Sequence, residues 1–414
     1  MTVRSSMFMR CQHNTAQRKP TLIMKKALLF VALATVMGFK SAEAIDLTPT
    51  GDVRFRYESL QNKYTGSTGN FSNDRWRTRV RAGLGAWINE ELSAGVTFST
   101  DSDALSDSYK GSTSRNQSYG NYFTPKAVFL SEAYVDYHPM NFGLDGKLNL
   151  LLGKRDVART LIVNNDLLYD GDISLEGATL QYGKAADGKE KDGLVFIAGY
   201  YFLDQISTAV GLAGSNDHAK ENDPYLTVFQ LAYKGSIGDS PYLIGIGDNN
   251  FQNLRNAGSS GAADTNNVKV ADRNVVELFG NFGGQLTETL PWKVYGQYAF
   301  NTDSHTDNAA IDNKKRKAWL AGVTFGDAKQ PGQWAVDFNY NRTERDSVFP
   351  FFTDSDRKVG NYNSNTMGWE VGATYHLVQN MTVGLKYYNY RQIVGVEVGD
   401  PRLHTLQGDV VVKF

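Results

Sequence analysis

The stretch Asp74-Arg-Trp-Arg-Thr-Arg-Val-Arg-Ala-Gly-Leu-Gly-Ala-Trp-Ile88 decides the fold, because its residues alternate between two kinds. One set comprises Trp76, Thr78, Val80, Ala82, Leu84, Ala86 and Ile88, and the other comprises Arg75, Arg77, Arg79, Arg81, Gly83 and Gly85. On an extended strand each set occupies one face, whereas a helix would scatter the four arginines around its axis. The alternation resumes after Asn89-Glu90, which predicts a tight β-hairpin.

The same alternation recurs along the chain and predicts sixteen strands. They cover residues 51–60, 74–88, 91–101, 125–138, 147–155, 171–183, 193–203, 224–234, 240–248, 272–283, 291–301, 315–326, 331–345, 366–376, 379–391 and 402–414. Long connections of 10–23 residues alternate with short ones of 2–9 residues. An even strand number, short periplasmic turns and long extracellular loops are typical of bacterial outer-membrane barrels. We therefore predict an all-β fold, a transmembrane antiparallel β-barrel.

Closing the sheet would give every backbone N–H and C=O group a partner within lipid. The apolar face of each strand would then point to lipid and the polar face to the lumen. A barrel of sixteen strands is too wide for side chains to fill, so the lumen should hold water.

The composition is compatible with a barrel and not with a bundle of membrane helices. The 414 residues are 41% hydrophobic, and their mean hydropathy is −0.40. One segment, 27–39, is strongly apolar; it follows two lysines and precedes an Ala-Glu-Ala sequence that ends at Ala44. This pattern is typical of a secretory signal peptide. We predict a leader over 1–44 with its translation start at Met24, and a single barrel domain over 45–414.

Cleavage of this leader would change the charge and the thiol content. The leader holds seven of the 43 basic and one of the 44 acidic residues, so 36 would remain against 43, a formal charge of −7. It also holds Cys11, the single cysteine, which excludes disulfides, zinc–thiolate sites and cysteine nucleophiles from the processed chain. No catalytic triad or phosphate-binding loop stands out, and the other histidines lack ligand spacing. The sequence predicts no enzyme, no cofactor, no metal site and no nucleic-acid partner.

Several segments resemble one protein family. These are the Asp74–Ile88 stretch, Ser131-Glu-Ala-Tyr-Val-Asp-Tyr137, Leu152-Gly-Lys-Arg155 with the following Asn165-Asp, Asp170-Gly-Asp and Leu175-Glu-Gly, and the terminal Asp409-Val-Val-Val-Lys-Phe414. They are similar to the putative porins of Gram-negative bacteria and, more distantly, to the sixteen-stranded general diffusion porins. Val410 and Val412 depart from the aromatic residues that such a terminal strand often carries.

The resemblance implies a passive pore in the outer membrane, commonly a homotrimer, whose third long loop folds inward as a constriction. It implies contact with outer-membrane lipid and lipopolysaccharide. It also implies that the terminal strand, ending in Phe414, is the signal recognised by the barrel assembly machinery.

Two sets of charges are candidates for the pore lining. Arg54 and Arg56 share one face of the first predicted strand, and Arg75, Arg77, Arg79 and Arg81 share one face of the second. If these strands are neighbours, six guanidinium groups line one wall as a fixed positive field that attracts anions. Without anions or carboxylates nearby, repulsion among these guanidinium groups would destabilise the folded barrel. The third long loop, near 156–172, carries Asp156, Asp166, Asp170 and Asp172. If it folds inward, these carboxylates face the arginines, and otherwise they are ordinary loop residues.

A third acidic group lies in the second long loop. Asp101, Asp103 and Asp107 could bind calcium, but their spacing lacks the glycine and terminal glutamate of an EF-hand, which favours a solvated loop.

The function indicated is a channel for passive diffusion of small hydrophilic solutes and ions. A substrate-selective channel for phosphate, organic acids or oligosaccharides would suit the arginine wall as well, and should show saturable block by one solute. An outer-membrane hydrolase would need a Ser/His/Asp-type site, which the sequence does not suggest. An adhesin or structural barrel would show no conductance.

Overall fold

The structure is a computed structural model that describes residues 45–63, 70–101, 114–120, 122–140, 146–204, 222–254, 271–303, 315–360, 363–393 and 401–414. Two units are distinguished, Met1–Ala44 and Ile45–Phe414. The predicted leader, 1–44, lies outside the described residues, as do Asp103 and Asp107 of the proposed calcium group. No helix among the described residues has the length and apolar character needed to cross a membrane.

The described residues contain seventeen strands. They are β1 (Asp46–Lys63), β2 (Phe71–Asn89), β3 (Leu92–Thr100), β4 (Gln117–Ser118), β5 (Val128–Tyr137), β6 (Leu148–Asp156), β7 (Ser174–Tyr182), β8 (Gly193–Phe202), β9 (Tyr225–Ile237), β10 (Ser240–Gln252), β11 (Arg273–Thr287), β12 (Leu290–Asn301), β13 (Lys317–Gly326), β14 (Trp334–Thr343), β15 (Thr366–Val378), β16 (Met381–Gln392) and β17 (Arg402–Lys413). One α-helix, α1 (Val157–Thr160), follows β6, and one 3-10 turn covers Ser355–Arg357.

Sixteen of these strands close into one antiparallel barrel, which confirms the predicted fold class. Each strand except β4 pairs with its sequence neighbours, and β17 pairs with β1 to complete the ring. The seventeenth, β4, was not predicted. It pairs with Arg77 and Thr78 of β2, which lie beyond the part of β2 that β3 covers, because the β3 register ends where Arg81 meets Ser99.

The strand bounds differ from the prediction mainly at the ends. The first strand starts at Asp46 rather than at residue 51. Its added residues pair with β2 alone, because pairing with β17 begins at Asp52. Pro49 is tolerated there, since proline has no N–H and is accepted where one edge of a strand is unpaired.

The alternation of burial along β2 confirms which face each residue occupies. Trp76, Val80 and Leu84 expose 49%, 37% and 43% of their surface, whereas Arg77 and Arg79 expose only 4% and 8%. The apolar side chains of this strand therefore lie on the outer face of the barrel, and the arginines lie on its inner face.

The expectation that every inner face is polar is wrong for the strands from β8 to β13. Their inner faces carry buried apolar residues, among them Val195, Ile197, Leu226, Val228, Val275, Phe279, Ala299 and Leu320. These residues pack in one cluster with Leu161, Leu167 and Tyr169 of the β6–β7 connection and with Val348 and Phe349 of the β14–β15 connection. The inner face is apolar there because it is covered by protein and not by water.

The connections at the two ends of the barrel differ in length. Two-residue turns join β2 to β3, β9 to β10, β11 to β12 and β15 to β16. Gly238 and Asn380, in two of these turns, have φ of 59° and 65°, which glycine and asparagine adopt more readily than other residues. The connections at the opposite end are longer. We name residues 157–173 the third loop and residues 344–365 the seventh loop.

Candidate channel constriction

The six predicted arginines lie on facing positions of two neighbouring strands. The register between β1 and β2 sets Asp52 opposite Arg81, Arg54 opposite Arg79, Arg56 opposite Arg77 and Glu58 opposite Arg75. The two central rungs each bring two arginines together, and like charges directly opposite each other are destabilising. The two outer rungs each pair an arginine with a carboxylate. We name this eight-residue set the charge ladder.

Carboxylates compensate most of the ladder arginines. Glu58 Oε2 lies 3.1 Å from Nη1 of Arg77, and Asp52 Oδ1 lies 3.0 Å from Nη2 of Arg79. Glu58 and Asp52 also pair with Arg75 and Arg81. Because Asp52 and Glu58 have side chains no more than 6% exposed, these ion pairs are well shielded from water.

Arg56 is compensated from the other side of β1. Its Nε and Nη2 donate to the two carboxylate oxygens of Asp409 at 2.7 Å, and Asp409 is its direct partner in the β1–β17 register. The arginine pattern predicts a need for nearby carboxylates, but Asp52, Glu58 and Asp409 were not among the predicted site residues. The sequence could have indicated two of them. Asp52 and Glu58 flank Arg54 and Arg56 at a spacing of two residues, which places all four on one face of β1.

Arg54 differs from the other five ladder arginines. Its Nη2 donates to Oδ1 of Asn116 at 2.6 Å, and its Nε is buried without a hydrogen-bond partner. Within the described ranges, no carboxylate oxygen lies within 4.0 Å of its guanidinium group, whereas each of the other five arginines has one.

The third loop begins with a capped helix, which corrects the placement of Asp156. This residue is the last of β6 rather than a loop residue, and its side chain accepts a hydrogen bond from the backbone N–H of Arg159 at 2.9 Å. Aspartate is favoured at a helix N-terminus because it satisfies an N–H that has no partner within the helix. Lys184, fully buried, donates at the other end of α1 to the carbonyls of Ala158 and Leu161.

The third loop makes hydrogen bonds to strands on the far side of the barrel from the charge ladder. The backbone of Ile162 exchanges two hydrogen bonds with the side chain of Gln230 on β9, at 2.8 and 3.1 Å. Asn164 donates to the carbonyls of Gly280 and Gly296 on β11 and β12. Together with the apolar cluster, these contacts hold the loop against strands β8 to β13.

One of the four predicted loop aspartates, Asp172, forms ion pairs with two ladder arginines. Its Oδ1 lies 3.2 Å from Nη1 of Arg79 and 3.7 Å from Nη1 of Arg81. The carboxylate of Asp170 instead accepts a hydrogen bond from the backbone N–H of Asp172 at 2.9 Å.

Asp166 belongs to a second charge cluster. It forms an ion pair of 2.5 Å with Arg357 of the seventh loop, and the same guanidinium contacts Glu370 of β15 at 2.5 Å. Carboxylate oxygens of Asp166, Asp354 and Glu370 lie within 4.8 Å of one another, a spacing that could suit a metal ion. The side chain of Arg357, 4% exposed, supplies the positive charge among them. We name this set the Arg357 cluster.

The seventh loop also brings Asp356 to the ladder, which the sequence analysis missed. Its carboxylate lies 3.4 Å from Nη1 of Arg56, and the two residues are 300 positions apart in the chain. Burial acts to raise the pKa of Asp356, but Arg56 and the hydrogen bond from Gln407 hold it below its usual range. Burial and the neighbouring Asp356 raise the pKa of Asp354 well above its usual range.

Two cavities lie beside the ladder. One, of about 320 Å³, is lined at its strand-end side by Thr50, Gly83 and Lys413, and we name it the turn-side cavity. The other, of about 220 Å³, is the loop-side cavity; its charged lining comprises Arg54, Arg56, Arg79, Lys386, Asp166, Asp170, Asp172, Asp354 and Asp356. Gly171 and Asp172 line both cavities. Cations from the strands and carboxylates from the two loops thus face the same space.

Phe414, the predicted assembly signal, lies at the junction of the first and last strands. Its backbone N–H and C=O both bond to Gly51 of β1, at 3.1 and 2.9 Å. Its ring lies against the Cα of Gly51, because a Cβ built there would meet ring atoms at 2.6 Å. The side chain is 62% exposed on the outer surface.

Comparisons with known proteins agree with this architecture. A family model described as putative porin matches residues 43–288 and 290–414. OprB of Pseudomonas putida, in its high-pH structure, is 12% identical with a TM-score of 0.55, and the match covers 89% of this chain and 94% of that one. The outer membrane channel DcaP of Acinetobacter baumannii is 11% identical with a TM-score of 0.49, covering 91% of this chain and 99% of that one. No functionally curated protein matches the sequence.

Proposed function

Because the chain belongs to the putative porin family, we propose that it forms a water-filled channel for passive diffusion of small hydrophilic solutes and ions across the outer membrane of a Gram-negative bacterium. The closed barrel supports this proposal, since its outer face carries exposed apolar residues and closure leaves no unpaired edge in lipid. The channel is not an enzyme, and no turnover or cofactor is part of its action.

We propose that the third loop narrows this channel and that the charge ladder lines its constriction. The observation that carries this proposal is the contact of Asp172 with Arg79 and Arg81, at the point where the two cavities share their lining. A field between strand cations and loop carboxylates would orient polar solutes, and charged groups at a constriction set ion preference.

The proposed channel function also implies an orientation and partners for the barrel. We propose that the long connections, including the third and seventh loops, face the cell exterior and that the short turns face the periplasm. The outer face would contact lipid and lipopolysaccharide. The terminal strand ending in Phe414 would be recognised by the assembly machinery, and the barrel would assemble as a homotrimer.

A substrate-selective channel for anions such as phosphate or organic acids, or for oligosaccharides, is the second candidate. The arginine content of the ladder favours its anionic form, because guanidinium groups stay charged and match the geometry of carboxylates and phosphates. Saturable reduction of the ion current by one solute class would favour this candidate over general diffusion.

Planar-bilayer recording of the purified protein tests both the channel and its constriction. We expect ion-conducting events in KCl, and a double substitution of Arg79 and Arg81 by serine should move the reversal potential in a KCl gradient toward cation preference. Lys189→Ser is the matched control, because this lysine is 82% exposed in a short turn and lines neither cavity. Absence of conductance would exclude a channel, and an unchanged reversal potential in the double variant would exclude the ladder from the constriction.

A further inference from the structure

We propose that Arg54 forms a binding subsite for a small monovalent carboxylate anion in the loop-side cavity. This inference rests on the proposed channel function, which it extends from general diffusion to a preferred class of solute.

The distribution of carboxylates along the ladder singles out Arg54. In the part of the chain that the structure describes, the other five ladder arginines each have a carboxylate oxygen within 4.0 Å, from Asp52, Glu58 or Asp409 among others. Arg54 has an amide oxygen instead, that of Asn116. Among the described residues, its charge is therefore the one in the ladder that has no carboxylate in direct contact.

The surroundings of Arg54 increase its attraction for an anion. Arg79 lies directly opposite it on β2, and Arg56 lies two residues away on the same face of β1. Positive charges this close repel one another, and a bound anion would relieve that repulsion. The protein already places a carboxylate against each of these two arginines, since Asp172 contacts Arg79 and Asp409 contacts Arg56.

Arg54 is also held in position before any solute arrives. The hydrogen bond from its Nη2 to Asn116 fixes one side of the guanidinium group, and Asn116 itself donates to Oγ of Ser114 at 3.0 Å. Both of these residues line the loop-side cavity together with Arg54. A donor that is fixed in advance loses less conformational entropy when it binds a ligand.

The size and charge of the cavity limit the class of anion. A volume of about 220 Å³ corresponds to about seven water molecules, at roughly 30 Å³ each, and so suits a short organic acid. Five aspartates also line this cavity. A second negative charge on the solute would meet these carboxylates, which favours a monoanion over a dianion. The planar guanidinium group matches two carboxylate oxygens better than it matches a spherical ion.

Acetate titration of the reconstituted channel tests this subsite. At a fixed KCl concentration, added potassium acetate should reduce the single-channel chloride current of the wild type along a saturating curve. The half-saturating concentration should rise about tenfold in Arg54→Gln, which loses a hydrogen bond to a charged group. Lys189→Gln is the matched control, because this lysine is 82% exposed in a short turn and lines neither cavity, and its titration should equal that of the wild type. Succinate should act more weakly than acetate.

The outcomes separate this inference from the proposed function. A wild type that conducts KCl but shows no saturable effect of acetate would overturn the subsite and leave the channel standing, whereas a wild type without conductance would overturn the channel itself. Equal titrations of Arg54→Gln and Lys189→Gln, or a stronger effect of succinate, would also overturn the subsite. If Arg54→Gln does not fold, Arg54→Lys keeps the charge but loses the planar fork, and its half-saturating concentration should lie above that of the wild type.

Discussion

Arg357 joins the third loop, the seventh loop and the barrel wall, so its substitution should loosen the constriction. Its guanidinium contacts Asp166 of the third loop and Glu370 of β15 at 2.5 Å each, and also donates to the backbone carbonyl of Asp166 at 3.1 Å. Burial acts to lower the pKa of Arg357, but Asp166 and Glu370 raise it above its usual value. Arg357→Gln would remove the charge and leave these carboxylates close together.

The expected magnitude follows from burial. The side chains of Arg357 and Glu370 expose 4% and 1% of their surface. Removing one partner of a buried ion pair costs about 3–5 kcal/mol. The lower end of that range applies here, because Glu370 keeps its ion pair with Lys386 at 2.7 Å. At about 1.4 kcal/mol for each factor of ten, the ratio of attached to detached third loop should fall by roughly a hundredfold or more. The remaining contacts to Gln230 and to the apolar cluster would still hold part of the loop.

Single-channel recording gives the readout. We expect Arg357→Gln to show a larger mean conductance and more frequent transitions between conductance levels than the wild type, in the same KCl solution. Lys329→Gln is the matched control, since this lysine is 80% exposed and pairs with Asp327 in a short turn. It should behave as the wild type does.

Two results would refute this reasoning. Identical mean conductance and identical fluctuations in Arg357→Gln, in a barrel that still runs as a folded species on a gel, would show that the third loop does not depend on the Arg357 cluster. A lower conductance would show that Arg357 widens the channel, contrary to the expectation that it holds the third loop in a narrowing position.

Three further predictions concern the base of the third loop, the closing strands and the response to pH. Lys184→Met should lower the free energy of unfolding in urea by about 2–3 kcal/mol, because two loop carbonyls lose a charged donor; the exposed Lys189→Met should not. Gly51→Ala should reduce the temperature at which the barrel unfolds on a gel, since its Cβ would lie 2.5 Å from a backbone oxygen; Gly408→Ala, with open space around it, should not. As the pH falls from neutral, Asp354 should become protonated before an ordinary aspartate does, because its pKa is raised by burial and by a neighbouring carboxylate; the reversal potential should then move toward anion preference, and Asp354→Asn should remove this step.

Each of these predictions can fail in a defined way. Equal urea midpoints for the two lysine variants would show that the buried amine adds nothing to the hold on the third loop. Equal melting of the two glycine variants would show that the first strand can shift to accept a methyl group. If the change in reversal potential with falling pH persists in Asp354→Asn, another titrating group causes it.

The sequence was sufficient for the barrel because a strand has a side-chain period of two. In β2, the alternation of arginine with Trp76, Val80 and Leu84 can be read without any knowledge of distant contacts, and it predicts the two faces correctly. Closure of the sheet followed from the even number of such segments and from the sorting of long and short connections.

The sequence was not sufficient for the loops, because their contacts join distant parts of the chain. Asp356 meets Arg56 across 300 positions, and Arg357 meets Asp166 across 191. Nothing in the local sequence indicates either pair, because a charged residue in a loop usually contacts water and not a distant charge. The apolar inner face of β8 had a signal in the sequence. The run Gly193-Leu-Val-Phe-Ile-Ala-Gly-Tyr-Tyr-Phe202 is apolar at nearly every position, which indicates a strand with two apolar faces.

The pairing of Arg56 with Asp409 links permeation to the completion of folding. These residues belong to the first and last strands and are separated by 353 positions, so the charged wall is complete only after the two ends of the chain have met. A folding intermediate with an open seam would expose Arg56 without its nearest carboxylate. A substitution of either side chain would therefore affect both the charge at the aperture and the junction that closes the ring.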